Sequence, residues 1–87
     1  MKKGLQLEET VEMMLSKDHK ERFRAEYYQL VNRYERLKSM LEKWDAGTLD
    51  FKPASSRAIY SIQIDAMERY IVVLELRAST EKIDLSK

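Results

Sequence analysis

The residues best suited to recognising a ligand are a row of cations beside an aromatic ring. Lys20, Arg24 and Tyr28 lie four residues apart, which stacks them one turn above another if the segment is helical. A guanidinium suits a phosphate, and a phenol ring suits the face of a nucleobase. The same residues also read as a solvated charged face, tied by pairs such as Asp18–Arg22 and Arg22–Glu26. Arg57 and Tyr60 make a second cation–aromatic pair, close to the start of a later helix. Unpaired backbone N–H groups at a helix start already favour an anion. Arg57 would add charge there and Tyr60 a stacking surface, although Tyr60 also falls in an apolar seam. Lys20, Arg24, Tyr28, Arg57 and Tyr60 are therefore the candidate ligand-binding residues.

Catalytic chemistry has few candidates. His19 is the only imidazole, and it sits between Asp18 and Lys20 as a cap residue would. No serine stands in a nucleophile-elbow setting. The two glycines, Gly4 and Gly47, cannot build a phosphate-cradling loop. Glu8 and Glu12 are one turn apart, but no Glu-x-x-His accompanies them, which argues against a di-iron bundle. The chain reads as a binding protein with no catalytic residues, no metal and no cofactor.

These residues must be positioned by helices. Leu7, Val11, Met14 and Leu15 have helical spacing, with Glu8, Glu9 and Glu12 toward the positive end of the dipole. This predicts a short N-terminal helix or arm within residues 1–17, with Gly4 favouring fraying. Asp18 with Glu21 three residues on is a capping-box pattern. The helix after it, over residues 18–46, carries Phe23, Tyr27, Leu30, Tyr34, Leu37, Leu41 and Trp44 in an unbroken heptad seam. Tyr27 and Tyr34 fill that seam with their hydroxyls at its rim. Gly47 can take the left-handed conformation that ends the helix. Leu49 and Phe51 alternate with Asp50 and Lys52, so the connector is expected to fold back over a helix end.

Ser55 or Ser56 then caps a last helix, over residues 56–82. The short connection implies an antiparallel helical hairpin, making residues 18–87 one domain. On the last helix Tyr60, Ile64, Met67, Ile71, Leu74 and Ala78 form one seam. Ile59, Ile62, Ala66, Tyr70 and Val73 form a second stripe beside it, and Val72 and Leu76 extend the apolar surface. The β-branched content of Ile59 to Val73 sits against helix propensity, but periodicity and length favour helix. Gln63 and Arg77 are polar exceptions, read as interhelical hydrogen-bonding groups that fix register. A helix apolar around most of its circumference has to be buried on more than one side. The short arm cannot cover it all, and several exposed Ile, Leu or Val side chains make a monomer sticky. A second copy of the chain is the expected cover, and Ile59, Ile62, Ala66, Tyr70 and Val73 its expected interface. The expected fold class is all-α, assembled as a homo-oligomeric bundle.

Composition agrees with this. A chain of 87 residues is one domain, and burial of roughly 60% of its unfolded surface leaves stability marginal. With no cysteine and one histidine, disulfides and Cys- or His-rich metal sites are excluded as aids, which leaves partner subunits. Sixteen Lys and Arg against fifteen Asp and Glu give a charge of +1. From Lys17 to Lys43 there are eight basic and five acidic residues. That is mild beside a dedicated DNA binder, so nucleic acid is not an expected partner. Acidic residues interrupt any signal-peptide core near the start. The longest apolar run, Tyr70 to Leu74, is far short of a membrane span. A cytoplasmic location follows as an expectation.

Lys20-Glu21-Arg22-Phe23-Arg24-Ala25-Glu26-Tyr27-Tyr28-Gln29-Leu30, the stretch Leu37 to Phe51, and Ala66 to Ala78 carry a family likeness. Over about Asp18 to Leu85 the chain resembles a family of small helical phage and prophage proteins, first labelled after a crAss-like gut phage. The family's connector is of a Thr-Pro-Thr-Cys type, whereas this chain reads Lys52-Pro53-Ala54-Ser55. The resemblance implies a bacterial host cell and no mechanism. In layout the chain is also similar to phage proteins that sequester cyclic-nucleotide immune signals in pockets between subunits. That likeness implies a sponge for a cyclic oligonucleotide or cyclic ADP-ribose-type signal. Two alternatives stay open: an inhibitor that binds a host defence complex, as anti-CRISPR proteins do, and a structural helical oligomer without a ligand.

Overall fold

The computed structural model describes residues 7–85, and no strand occurs among them. A 3-10 turn, Leu7–Thr10, runs into a single α-helical turn, α1 (Val11–Met14). Two long helices follow, α2 (His19–Asp45) and α3 (Arg57–Glu81). The predicted fraying at Gly4 lies outside the described residues.

The caps explain where the helices start and stop. The Asp18 side chain accepts a hydrogen bond from the Lys20 backbone N–H at 3.0 Å. The backbone N–H of Asp18 goes to Ser16 Oγ at 3.1 Å, so Ser16 takes the place that the capping box reserves for Glu21. Ser56 rather than Ser55 caps α3, accepting from the Ile59 N–H. At the end of α2, Thr48 N–H reaches Lys43 O and Gly47 N–H reaches Trp44 O. This double closure needs a left-handed residue, supplied by Gly47 at φ 75. Lys82 ends α3 in the same conformation without being glycine. Ile83 beyond it donates its N–H to Ala78 O and buries its side chain.

Each step forward along α2 is met by a step back along α3. Tyr27 OH donates to Glu75 Oε2 and Tyr34 OH donates to Glu68 Oε1, both at 2.8 Å. The two tyrosines are one heptad apart, as are the two glutamates, so the pairs lock a single register. Tyr70 OH donates to Glu26 in the other direction. Arg77 does not hydrogen-bond across the helices as its polarity suggested. It lies over the Phe23 ring, 4.8 Å from the centroid, and donates to Glu81 on its own helix. Gln63 is exposed.

Packing is uneven. Phe23, Tyr27, Leu30, Tyr34 and Leu41 of the α2 seam are buried, with Leu37 and Trp44 half-buried. Ala25, Tyr28 and Val31 are buried as well; α2 also carries the N-terminal segment, and the C-terminal segment reaches Tyr28. Gln29 on α2 donates to the hydroxyl of Thr10, itself fully buried. On α3 only Ile71, Leu74 and Ala78 are buried, while Tyr60, Ile64 and Met67 are half-covered. The second stripe is open: Ile59 is 56% exposed, Ile62 68%, Tyr70 44% and Val73 50%, and Leu76 beyond it is 63% exposed. The core is thick where the N-terminal segment and the C-terminal turn meet the helix pair, and thin toward the connector. Leu74, at 1% exposure, sits in the thick part. Leu74→Ala should cost about 2–5 kcal/mol, read as a lower denaturant midpoint with an unchanged slope.

Candidate functional site

The five candidate ligand residues divide between the two ends of a molecule 43 Å long. Lys20, Arg24 and Tyr28 stand near the start of α2. There the chain's own C-terminal segment meets Arg24 and Tyr28. Arg24 Nε donates to Asp84 O at 2.8 Å, and Tyr28 OH donates to Leu85 O at 2.6 Å. The Tyr28 ring is 2% exposed and meets Tyr27 edge-on. Burial pushes the Tyr28 phenol upward; Arg24 opposes this and the Asp84 carboxylate adds to it. Lys20 is half-buried. In this conformation Arg24 Nε and the Tyr28 hydroxyl tie the C-terminal segment to α2.

Arg57 and Tyr60 lie at the other end. Arg57 grips Asp45 through two parallel bonds of 3.0 Å, Nε to Oδ1 and Nη2 to Oδ2, and Nη1 reaches Ser61 Oγ at 2.7 Å. This fork joins the last residue of α2 to the first of α3, so it clamps the mouth of the connector. The same contact holds the Asp45 carboxyl below its ordinary range. Tyr60 meets Trp44 edge-on with ring centres 5.9 Å apart.

The connector these contacts fix creates a concavity. A cleft of about 410 Å³ opens between α2 and the Thr48–Phe51 segment, within the size range of small-ligand sites. Arg36 and Lys43 line it from α2 and Phe51 from the connector, with Ser39, Thr48 and Asp50 as further polar lining. Arg36 and Lys43 are seven residues apart, hence on one face about 10 Å from each other along the axis. Leu49 and Phe51 also line an adjoining cleft of about 260 Å³ with Trp44, Lys52 and Pro53. Phe51 is 56% exposed, unusual for an aromatic side chain that had the chance to fold inward. Two cations around an exposed ring can hold a negatively charged ligand bearing a flat face. Asp50 opposes part of that charge and would favour a ligand that also donates a hydrogen bond. The closed C-terminus of α2 removes its outermost free carbonyls from competition.

Sequence reading had missed Arg36, Lys43 and Phe51. The seven-residue spacing of the two cations was visible, but only the path of the connector brings Phe51 to the same cleft.

The tyrosines give the site-bearing fold an alkaline limit. Tyr34 is pushed above its ordinary 10.0, first by its hydrogen bond to Glu68 and then by burial. A raised phenol loses its proton from the unfolded chain first. Its contribution is therefore complete below about pH 10 and is lost as pH climbs through the folded value. Melting followed by circular dichroism should show a midpoint that is flat on the Tyr34 account below pH 10 and falls above it. Tyr34→Phe should soften that fall.

Comparison with known proteins gives one family. No curated protein and no solved structure matches the chain. Among the described residues no helix is long and apolar enough to cross a membrane. The Sequestin family model matches residues 17–80, which takes in α2, the connector with its cleft, and nearly all of α3. Over that span, most of its length, the chain belongs to the Sequestin family.

Proposed function

We propose that this protein sequesters a phosphorylated, base-bearing small molecule and releases it chemically unchanged. The ligand class is a nucleotide immune signal, a cyclic oligonucleotide or a cyclic ADP-ribose type, made by a bacterial host against phage. The setting is the host cytosol, and the protein is phage-encoded and works as a homo-oligomer. The observation that carries this reading is the connector cleft, where Arg36, Lys43 and the exposed Phe51 ring combine charge with a stacking face. The family name, Sequestin, supports retention over turnover. So does His19, which is exposed at the first turn of α2 rather than set in the cleft.

The open stripe on α3 is the specific observation behind a second reading, an inhibitor that docks on a host defence protein. The two readings place the binding surface on different parts of the molecule. A structural oligomer without a ligand is the remaining alternative, and it gives the cleft no task.

Titration calorimetry with cyclic dinucleotides, cyclic trinucleotides and cyclic ADP-ribose isomers tests the first reading. One class should bind, and chromatography should recover it intact. Arg36→Ala or Lys43→Ala should each weaken binding by roughly tenfold or more, the usual loss for a charge-assisted contact. No heat with any member of the panel would overturn the nucleotide assignment.

A further inference from the structure

We propose that a second copy of this chain covers the outer face of α3, running antiparallel to it, in the register that sets Asp65 beside the partner's Arg69. The inference rests on the self-association proposed above and not on the identity of the ligand.

The outer face has the pattern of a coiled-coil seam. Ile59, Ile62, Ala66, Arg69, Val73 and Leu76 alternate in steps of three and four, the heptad spacing that keeps one edge against a partner helix. All six are exposed in the single chain. They point away from Ile71, Leu74 and Ala78, which face α2. The seam runs about 26 Å along the helix. Tyr70 borders it and is anchored to Glu26 of its own chain.

Charge decides the direction. In a parallel pair, Arg69 would meet the partner's Arg69 in the middle of an apolar seam, and like charges there oppose assembly. In the antiparallel pair, Ile59 meets the partner's Leu76 and Ile62 meets the partner's Val73. Arg69 then falls over the partner's Ala66, the smallest residue of the seam, which leaves room for its long stem. The guanidinium emerges next to the partner's Asp65. Among the described residues neither Asp65 nor Arg69 has an ion-pair partner in its own chain. The two-fold axis thus brings two carboxylates and two guanidiniums together at the centre, with aliphatic layers on both sides. The same arrangement carries the connector end of one copy to the C-terminal end of its partner's α3.

The chain has no cysteine, so introduced thiols report only on the contacts they are placed to test. Ile59→Cys and Leu76→Cys proteins, distinguishable by a tag, are mixed and mildly oxidised. The expected product is the mixed disulfide, with little homodisulfide from either protein alone. Efficient homodisulfides in place of the mixed one would overturn the antiparallel register. In light scattering, Asp65→Arg should weaken the dimer roughly tenfold or more, and adding Arg69→Asp should restore it. Circular dichroism checks that these exposed substitutions keep the helices. A dimer indifferent to both charge changes and without the mixed disulfide would remove this interface and leave self-association standing. An unsubstituted chain that stays monomeric would remove both.

Discussion

Helix α3 has more apolar surface than the described residues of its own chain cover, and that imbalance shapes the rest of the molecule. Helix α2 packs against α3, the N-terminal segment and the returning C-terminal residues, and Ala25, Tyr28 and Val31 are buried beyond its seam. Among the described helices, α3 packs against α2 alone. One row of its side chains goes inward, and Ile59, Ile62, Val73 and Leu76 remain at the surface. Fully covering one such side chain is worth about 1.5–3 kcal/mol, so leaving a row of them in water is costly for a domain this small. Isolated exposed apolar residues are common on any protein. A row at heptad spacing is a different observation, because the spacing itself selects a helical partner.

The thick core and the candidate cleft fall at opposite ends. At the start of α2, the N-terminal segment, the tyrosine pair and the returning C-terminal residues build a thick core. Arg24 and Tyr28 serve it by holding the carbonyls of Asp84 and Leu85. At the connector the core thins, Trp44 and Tyr60 are only half-covered, and the Arg57–Asp45 fork maintains the geometry. A thin, clamped end is suited to presenting Arg36, Lys43 and Phe51, because few side chains compete for the space around them.

Much of this architecture was legible in the residues. The heptad gaps of both long helices, the caps at Asp18 and Ser56 and the stop at Gly47 are local signals, and short-range sterics and hydrogen bonding decide them. The site was less legible. Arg24 and Tyr28 read as half of a pocket, and their contacts with Asp84 and Leu85, 60 and 57 residues further on, leave no periodic trace. Arg57 looked like an anion site at a helix start, but Asp45 supplies the anion from within the chain. Ser16 displaced Glu21 from the cap because a hydroxyl two residues before Asp18 reaches its N–H across a tight turn. The connector cleft depends on how Leu49 and Phe51 leave the left-handed Gly47, which composition does not encode.

Small-angle X-ray scattering on the unsubstituted protein tests the central claim most directly. A single chain has a Cα radius of gyration of 14.8 Å and a mass of 10.4 kDa. The covered α3 face predicts a larger radius and a forward scattering that corresponds to a multiple of that mass. A radius and mass that match one chain across a full concentration series would contradict it.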